Sequence, residues 1–202
     1  AGILNNCFSR SKSASWQAYK MSKPPTQKNT TAARLTGVQT TSPRIAIQAA
    51  IGDSISAGYG LAPGLSYPSV IQKTLDAEKL PWRVVNQGVS GDTTAGGAAR
   101  IMSAVKVKPA VVLLELGGND GLRGIPLKAT RDNLEKMIVA YKTTGAQVVL
   151  AGMSLPPNYG PDYVKGFENI YKELAAKHKI KLIPFLLQDM ITPDLRFFQR
   201  DG

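Results

Sequence analysis

Three short segments of the sequence contain groups that together could perform acyl transfer. Gly52-Asp53-Ser54 offers a serine hydroxyl, the loop at Gly91 offers a backbone N–H, and Gly118-Asn119-Asp120 offers a neutral amide. A serine at the start of a helix can act as a nucleophile, and nearby N–H donors stabilise the oxyanion formed when it attacks a carbonyl carbon. Ser54 would supply the nucleophile and one N–H of this oxyanion hole, and Gly91 and Asn119 would supply the other donors.

Each segment also has an ordinary structural explanation. Ser54 could be a plain helix N-cap, Gly91 could lie in a turn before a cap, and Asn119 could belong to a Gly-Asn turn. The preceding elements help to decide, because each segment directly follows an apolar run that predicts a strand. The carboxyl ends of parallel strands meet at one edge of a sheet. Three matches at that edge favour a shared acyl-transfer site.

Apolar runs and amphipathic stretches alternate along residues 45–185. The predicted strands are Ile45–Ile51, Arg83–Asn86, Ala110–Leu116, Gln147–Met153 and Lys181–Phe185. The predicted helices are Tyr67–Leu80, Thr94–Val105, Thr130–Thr143 and Pro161–Lys177. Strands that are apolar on both faces are typical of a parallel sheet covered on both sides. The sequence therefore predicts an α/β fold, a three-layer α/β/α sandwich with a five-stranded, parallel, flavodoxin-like sheet.

Charge is unevenly distributed along the 202 residues. The net charge is +11, yet residues 1–52 hold seven Lys/Arg and no Asp or Glu, scattered among Ser, Thr, Gln and Pro. This composition is typical of a disordered tail, and the cations form no helical stripe that would indicate a nucleic-acid-binding face. We expect a tail over residues 1–43, one folded domain over residues 44–202, and no nucleic-acid partner.

Other classes of protein and site are disfavoured by the sequence. No run of about 18 apolar residues predicts a transmembrane helix, and the single cysteine, Cys7, excludes an internal disulfide framework. No P-loop or dinucleotide-binding fingerprint is present, so no cofactor is expected. Asp92 and Asp120 lack His or Cys neighbours, so we expect no metal, with a hard-cation site as the alternative. We expect a monomer that acts on a small-molecule substrate.

Longer stretches of the sequence resemble a known family. The stretches concerned are, in order, Gly52–Gly60, Ser90–Thr94, Glu115–Gly124 and Leu155–Tyr163. They resemble the motifs of SGNH, or GDSL-type, hydrolases, and in particular the bacterial branch of thioesterase I, lysophospholipase and arylesterase. The resemblance covers about residues 44–202. It implies a serine hydrolase that cleaves carboxylic esters or thioesters through an acyl-Ser54 intermediate, without a cofactor.

The resemblance also implies further site residues. Asp201 falls where the family has its triad aspartate, which a histidine follows three residues later. That histidine motif and the family's terminal helix do not occur within residues 44–202. Independently of the resemblance, Leu122 and Tyr159 lie in predicted loops at the edge that carries Ser54, so we expect them to line an acyl-chain groove, with simple packing as the alternative. The only histidine, His178, follows a predicted helix among lysines and is expected to be solvated, so we expect the 202-residue polypeptide to be nearly inactive on esters.

Alternative functions remain open at this stage. One is a carbohydrate O-acetylesterase, although the stretch Leu155–Gly160 favours the acyl-chain branch of the family. Another is a non-catalytic binding module or fragment, which the lack of a suitable histidine would favour. The resemblance implies a periplasmic or secreted protein, yet no signal peptide is visible, and a cytoplasmic location is the alternative.

Overall fold

A computed structural model of the chain describes residues 46–190, apart from the side chains of residues 46–48 and 189. The chain divides between Ser42 and Pro43 into two units, and all described residues belong to the second. The predicted tail and the predicted triad aspartate, Asp201, lie outside the described residues.

Five parallel strands form one sheet. They are β1 (Ala46–Gly52), β2 (Trp82–Asn86), β3 (Val111–Glu115), β4 (Gln147–Ala151) and β5 (Lys181–Ile183). Their spatial order is β2-β1-β3-β4-β5, and every neighbouring pair is parallel. This is the flavodoxin-like order, in which a ligand site is expected where the order reverses, at the carboxyl ends of β1 and β3. The predicted five-stranded parallel α/β sheet is confirmed.

The helices among residues 46–190 are α1 (Ser54–Ala57), α2 (Tyr67–Ala77), α3 (Thr94–Ala99), α4 (Ile101–Ala104), α5 (Gly118–Leu122), α6 (Leu127–Thr143) and α7 (Pro161–His178). Short 3-10 turns lie at Val105–Val107, Pro157–Tyr159 and Gln188–Met190. Prolines in the first turn, Pro68 and Pro161, fit the starts of α2 and α7, where their missing N–H groups would have no helical acceptor.

The structure corrects several predicted element boundaries: α6 begins three residues before the predicted Thr130, β4 ends two residues before the predicted Met153, and three further differences have a local cause. The helix predicted over residues 94–105 is divided at Arg100 into α3 and α4, in line with the low helix propensity of Gly96 and Gly97. α2 ends before Glu78, because Lys79 takes a left-handed conformation with φ of 55°. β5 ends at Ile183, directly before a proline, because a proline has no N–H to add to the strand ladder.

The two faces of the sheet bury different amounts of apolar surface. On one face, α6 and α7 cover the central strands, and the fully buried side chains there include Leu114, Leu134, Met137, Leu150, Phe167 and Leu174. On the other face a small cluster forms around Leu75 of α2, Trp82 and Val111. No helix among the described residues combines the length and apolarity needed to cross a bilayer.

Candidate active site

Ser54 stands where the chain leaves β1 and enters α1. Asp53 caps this helix, because its Oδ1 accepts a hydrogen bond from the N–H of Ile55 at 3.0 Å. As the first helical residue, Ser54 has no intrahelical acceptor for its own N–H. Its side chain is half-buried, and within residues 46–190 no side chain hydrogen-bonds its hydroxyl. The hydroxyl and the N–H therefore both remain for a ligand at the switch point of the sheet.

The amide of Asn119 connects the three loops that were predicted to converge. Its Nδ2 donates to Asp53 Oδ2 at 3.1 Å and to the backbone oxygen of Asp92 at 2.9 Å. One partner directly precedes Ser54 and the other directly follows Gly91. Because both partners are acceptors, they turn the nitrogen of the amide, not its oxygen, toward the Ser54 loop. An oxyanion bound by Asn119 would have to share or replace one of these bonds.

Gly91 lies in a turn whose ends are joined by the N–H of Asp92 and the oxygen of Val89, 3.0 Å apart. Its φ is 76°, a left-handed conformation that glycine adopts without the strain a side chain would add. Arg123 Nη2 donates to the oxygen of Gly91 at 3.2 Å and holds the turn from the far side of the cleft. The N–H of Gly91 has no acceptor among residues 46–190, so it too remains for a ligand.

Behind α1 lies a buried carboxyl group that the sequence prediction missed. Glu115, the last residue of β3, is fully buried. Its Oε2 accepts hydrogen bonds from Ser56 Oγ at 2.7 Å and from the N–H of Asp53 at 3.4 Å. Ser56 Oγ also lies 2.6 Å from the Tyr67 hydroxyl. The signal in the sequence was an acidic residue inside an apolar strand, because such a residue must find partners in the core.

Burial changes the protonation of this carboxyl group. Burial first, and the nearby Asp53 second, raise the pKa of Glu115 to about 8. Burial also raises the pKa of Asp53, although the hydrogen bond from Ile55 opposes the shift. At neutral pH a protonated Glu115 therefore avoids placing a second negative charge beside Asp53. This arrangement keeps the region behind the Ser54 loop from repelling an oxyanion.

The other two carboxylates at this edge of the sheet bind protein donors. Asp92 Oδ2 accepts from Arg100 Nε at 2.9 Å, and Arg100 Nη2 also donates to the oxygen of Gly52 at 3.3 Å. Asp120 is buried and accepts from the N–H and the hydroxyl of Thr94, at 2.8 and 2.5 Å. These bonds tie the β2 loop to β1 and the start of α3 to α5. Both carboxylates thereby hold the loops that surround Ser54.

The two residues predicted to line an acyl groove lie in contact. The Tyr159 hydroxyl donates to the backbone oxygen of Leu122 at 2.9 Å, and Leu122 is 52% exposed. Both follow the carboxyl ends of strands, Leu122 after β3 and Tyr159 after β4. The structure thus places them on the same edge of the sheet as Ser54.

His178 lies at the opposite edge of the sheet from Ser54. It ends α7, directly before β5 begins, and its Nε2 lies 2.7 Å from Glu135 Oε1. The prediction that His178 is solvated was wrong, because its side chain is only 14% exposed and bonds Glu135. The sheet separates it from Ser54, so His178 cannot serve Ser54 as a base.

Comparisons with known proteins bear on this arrangement. The family model described as the GDSL-like Lipase/Acylhydrolase family matches residues 50–202. The chain is 46% identical over 139 residues to "Esterase TesA" of Pseudomonas aeruginosa, which covers 68% of this chain and 69% of that protein. It is 43% identical over 143 residues to an "Arylesterase" of Vibrio mimicus, which covers 70% and 72%. It is 36% identical over 153 residues to "Thioesterase 1/protease 1/lysophospholipase L1" of Escherichia coli, which covers 75% and 72%.

Solved structures show the same fold. AlinE4, described as an SGNH-hydrolase family esterase, matches with a TM-score of 0.74 and 39% identity over 80% of this chain and 87% of that one. A crystal structure of TesA matches with a TM-score of 0.68 and 43% identity over 74% and 87%. Ser54, Gly91 and Asn119 lie within residues 50–202, which the family model matches.

Proposed function

This chain belongs to the GDSL-like lipase/acylhydrolase family of SGNH serine esterases and thioesterases, and from that premise we propose that it cleaves esters or thioesters with Ser54 as the nucleophile. The observation that carries the proposal is the Asn119 amide, which joins the Ser54 loop to the Gly91 loop within 3.1 Å. The substrate class is supported by relatives named as an esterase, an arylesterase and a thioesterase.

The proposed reaction has two steps. Ser54 Oγ attacks the carbonyl carbon, a base takes the hydroxyl proton, and the carbonyl oxygen becomes an oxyanion. The N–H groups of Ser54 and Gly91 and the Nδ2 of Asn119 donate to that oxyanion. The intermediate then collapses, the alcohol or thiol leaves with the proton, and acyl-Ser54 remains. Water attacks acyl-Ser54 in the second step and releases the carboxylic acid.

A serine needs a base that is oriented by a carboxylate. We propose Asp201 as that carboxylate on the likeness to the family motif alone. The 202 residues contain one histidine, His178, and it lies at the wrong edge of the sheet. We therefore expect this polypeptide to hydrolyse p-nitrophenyl acetate about 10⁴ to 10⁶-fold more slowly than its esterase relatives.

Added imidazole tests both parts of the proposal. Because imidazole can replace a missing histidine base, we expect it to restore part of the hydrolysis of p-nitrophenyl acetate and to increase labelling by a fluorophosphonate probe. Ser54→Ala should abolish both gains above the background of imidazole alone. Ser103→Ala, which changes an exposed serine on α4, is the matched control and should keep them.

Three outcomes would contradict the proposal. Equal rates for the parent and Ser54→Ala at every imidazole concentration would indicate a non-catalytic module. Labelling of a serine other than Ser54 would show that Ser54 is not the nucleophile. Turnover close to that of the relatives without imidazole, lost in Ser54→Ala, would show that a base is present after all.

The likeness to bacterial SGNH hydrolases also supports a proposal on location. We propose that the natural protein acts in the periplasm or outside the cell, as the resemblance implies. Fractionation of cells that produce it, followed by immunoblotting, should place it outside the cytoplasm. Recovery only with cytoplasmic marker proteins would contradict this.

A further inference from the structure

The two ends of the sheet differ sharply in charge. We define the carboxyl edge as the four stretches that follow the carboxyl ends of β1 to β4. These stretches are residues 54–66, 87–93, 117–126 and 152–160. They contain three charged residues, Asp92, Asp120 and Arg123. Asp120 is buried, and Asp92 is paired with Arg100 with its side chain 11% exposed. Arg123 is therefore the only exposed charged residue within these four stretches. The next exposed charges after the last two stretches are Lys128 and Asp162, in the first turns of α6 and α7.

The opposite edge of the sheet is rich in lysine. It is formed by residues 78–81, 105–110, 142–146 and 176–180, which precede β2 to β5. Its exposed charged residues are Glu78, Lys79, Lys106, Lys108, Lys142, Lys177 and Lys179. The lack of exposed charge at the carboxyl edge is thus a local property and not one of the whole domain.

Exposed apolar side chains are concentrated at the carboxyl edge. Seven large hydrophobic residues are exposed among residues 46–190, and four of them are Tyr59, Leu61, Val89 and Leu122. They lie in two loops and at the end of α5, and they are 65%, 40%, 48% and 52% exposed. Single exposed apolar residues are common, whereas a group at one edge indicates an interaction surface. The group lies at the same edge of the sheet as Ser54, and one member contacts it directly, since the N–H of Tyr59 bonds the oxygen of Ser54 at 3.1 Å.

We propose that the carboxyl edge docks on the surface of a phospholipid aggregate. Leu61, Val89 and Leu122 enter the boundary between headgroups and acyl chains, and Arg123 binds a lipid phosphate. Loops that expose apolar side chains and a single cation suit such a boundary, because acyl chains accept apolar side chains and phosphates accept guanidinium N–H groups. Nucleic acid would require several cations at this edge. The proposal goes beyond ester cleavage and does not require Ser54 to react.

Arg123 can meet a phosphate without leaving its place. One of its N–H groups holds the oxygen of Gly91, and a guanidinium carries five N–H groups in all. Arg123 is exposed, so the remaining donors face solvent. A phosphate bound there would lie beside the Gly91 loop, which also carries one of the proposed oxyanion donors. Docking would therefore hold an interfacial lipid at the edge of the sheet that carries the proposed nucleophile.

Tryptophan reporters test the docking surface in the full 202-residue chain. Val89→Trp places a reporter at the carboxyl edge, and Met102→Trp places one at a 71% exposed site on α4. Vesicles of pure phosphatidylcholine at about 0.15 M salt limit any contribution from the basic residues elsewhere. We expect a blue shift of the Val89→Trp emission when vesicles are added, and none for Met102→Trp. Ser54→Ala in the same background should leave the shift unchanged.

Co-flotation with the same vesicles measures the binding itself. The double variant Leu61→Ser/Leu122→Ser should bind at least about tenfold more weakly than the parent, because it removes apolar area from the surface. Arg123→Ala should weaken binding to phosphatidylcholine more than Lys106→Ala, its control at the opposite edge. Met102→Ser should bind like the parent. Thermal unfolding of each variant shows that it is folded.

Three results would overturn the docking surface. One is the absence of a blue shift in Val89→Trp at saturating lipid. Another is an equal loss of binding in the carboxyl-edge variants and their controls. The third is a concentration-dependent dimer that Leu61→Ser/Leu122→Ser dissociates while vesicle binding stays the same, which would assign the surface to a second copy of the chain. None of these results depends on ester hydrolysis, so failure here is distinct from failure of the proposed function.

Discussion

The Nδ2 group of Asn119 has a structural role and a proposed catalytic role at the same time. Its Nδ2 already bonds Asp53 and the oxygen of Asp92, and an oxyanion would approach the same nitrogen. These bonds hold the amide in the orientation that a developing negative charge needs. Nδ2 can serve both roles if its hydrogen bond to Asp53 or to Asp92 lengthens as negative charge develops on the substrate oxygen.

Asn119→Ala tests this role. Loss of one oxyanion donor should lower the imidazole-restored kcat for p-nitrophenyl acetate by about 10² to 10³-fold, with a smaller change in KM. Asn133→Ala is the control, because Asn133 also donates through its amide, to Thr94 Oγ1 at 3.2 Å, but lies outside the Ser54 loops. An equal effect of the two substitutions on kcat would indicate that Asn119 has only a structural role.

Glu115 links the site to pH through its protonation. The pKa of Glu115 is about 8 in the folded protein, whereas the ordinary pKa of a glutamate side chain is 4.5. The folded state therefore binds this proton more tightly than the unfolded state. The contribution to stability is fully present below pH 4.5, falls as the pH rises from there, and levels off above about pH 8. Asp53, whose pKa is also raised, acts in the same direction.

Glu115→Gln should remove most of this pH dependence. Between about pH 5.5 and pH 8 the free energy of unfolding of the parent should fall by about 2–4 kcal/mol from this group, and that of the variant should stay flatter. Urea unfolding at a series of pH values measures it. Asp132→Asn is the control, because it removes an exposed carboxylate that pairs with Lys128 on α6 and should leave the pH dependence of the parent in place. Parallel curves for the parent and Glu115→Gln would contradict the protonated state.

At the scale of elements, the short helix α1 holds the nucleophile in place. It has only four residues, too few to be stable alone, so its position depends on neighbours. Asn86 Nδ2 donates to the oxygen of Ser56 at 2.7 Å, and Glu115 binds Ser56 from β3. Gly88 lets the β2 loop pack against the α1 backbone, since a Cβ at Gly88 would overlap the nitrogen of Ala57.

Gly88→Ala tests this packing. The added methyl group meets backbone atoms, which cannot move away without shifting α1, so we expect a loss of about 1–3 kcal/mol in the free energy of unfolding. Gly166→Ala is the control within α7, because its Cβ would meet only the flexible end of the Leu127 side chain and alanine favours a helix. The free energy of unfolding of Gly166→Ala should stay within about 1 kcal/mol of that of the parent. Equal stability of both variants in urea unfolding would contradict the role given to Gly88.

The longer elements were predictable because their signals are local. β2 and β4 begin within one residue of their predicted starts, and α7 was predicted to within one residue at its end. Apolar runs and helical periodicity are properties of neighbouring residues, so the sequence shows them directly. A helix start at Ser54 was predicted, but the extent of α1 and the existence of α5 were not, since four or five residues are too few to show a helical period. They form because loops that converge in space hold them.

At the scale of the whole domain, the two edges at which the strands begin and end differ in their side chains. All five strands are parallel, so one edge collects the loops around Ser54 and the other collects exposed lysines. The same topology separates His178 from Ser54, because Ser54 follows a strand whereas His178 precedes one. The proposed lipid surface and the proposed nucleophile thereby lie at the same edge.

The sequence by itself determined the α/β class, the parallel sheet and the segments at Ser54, Gly91 and Asn119, because these follow from local patterns and from strand ends that must share an edge. Only the tertiary structure decided how these segments bond. It placed the Asn119 amide between two acceptors, buried Glu115 behind the Ser54 helix and put His178 against Glu135. Such contacts join residues far apart in the chain, and their geometry depends on the packing of every element between them.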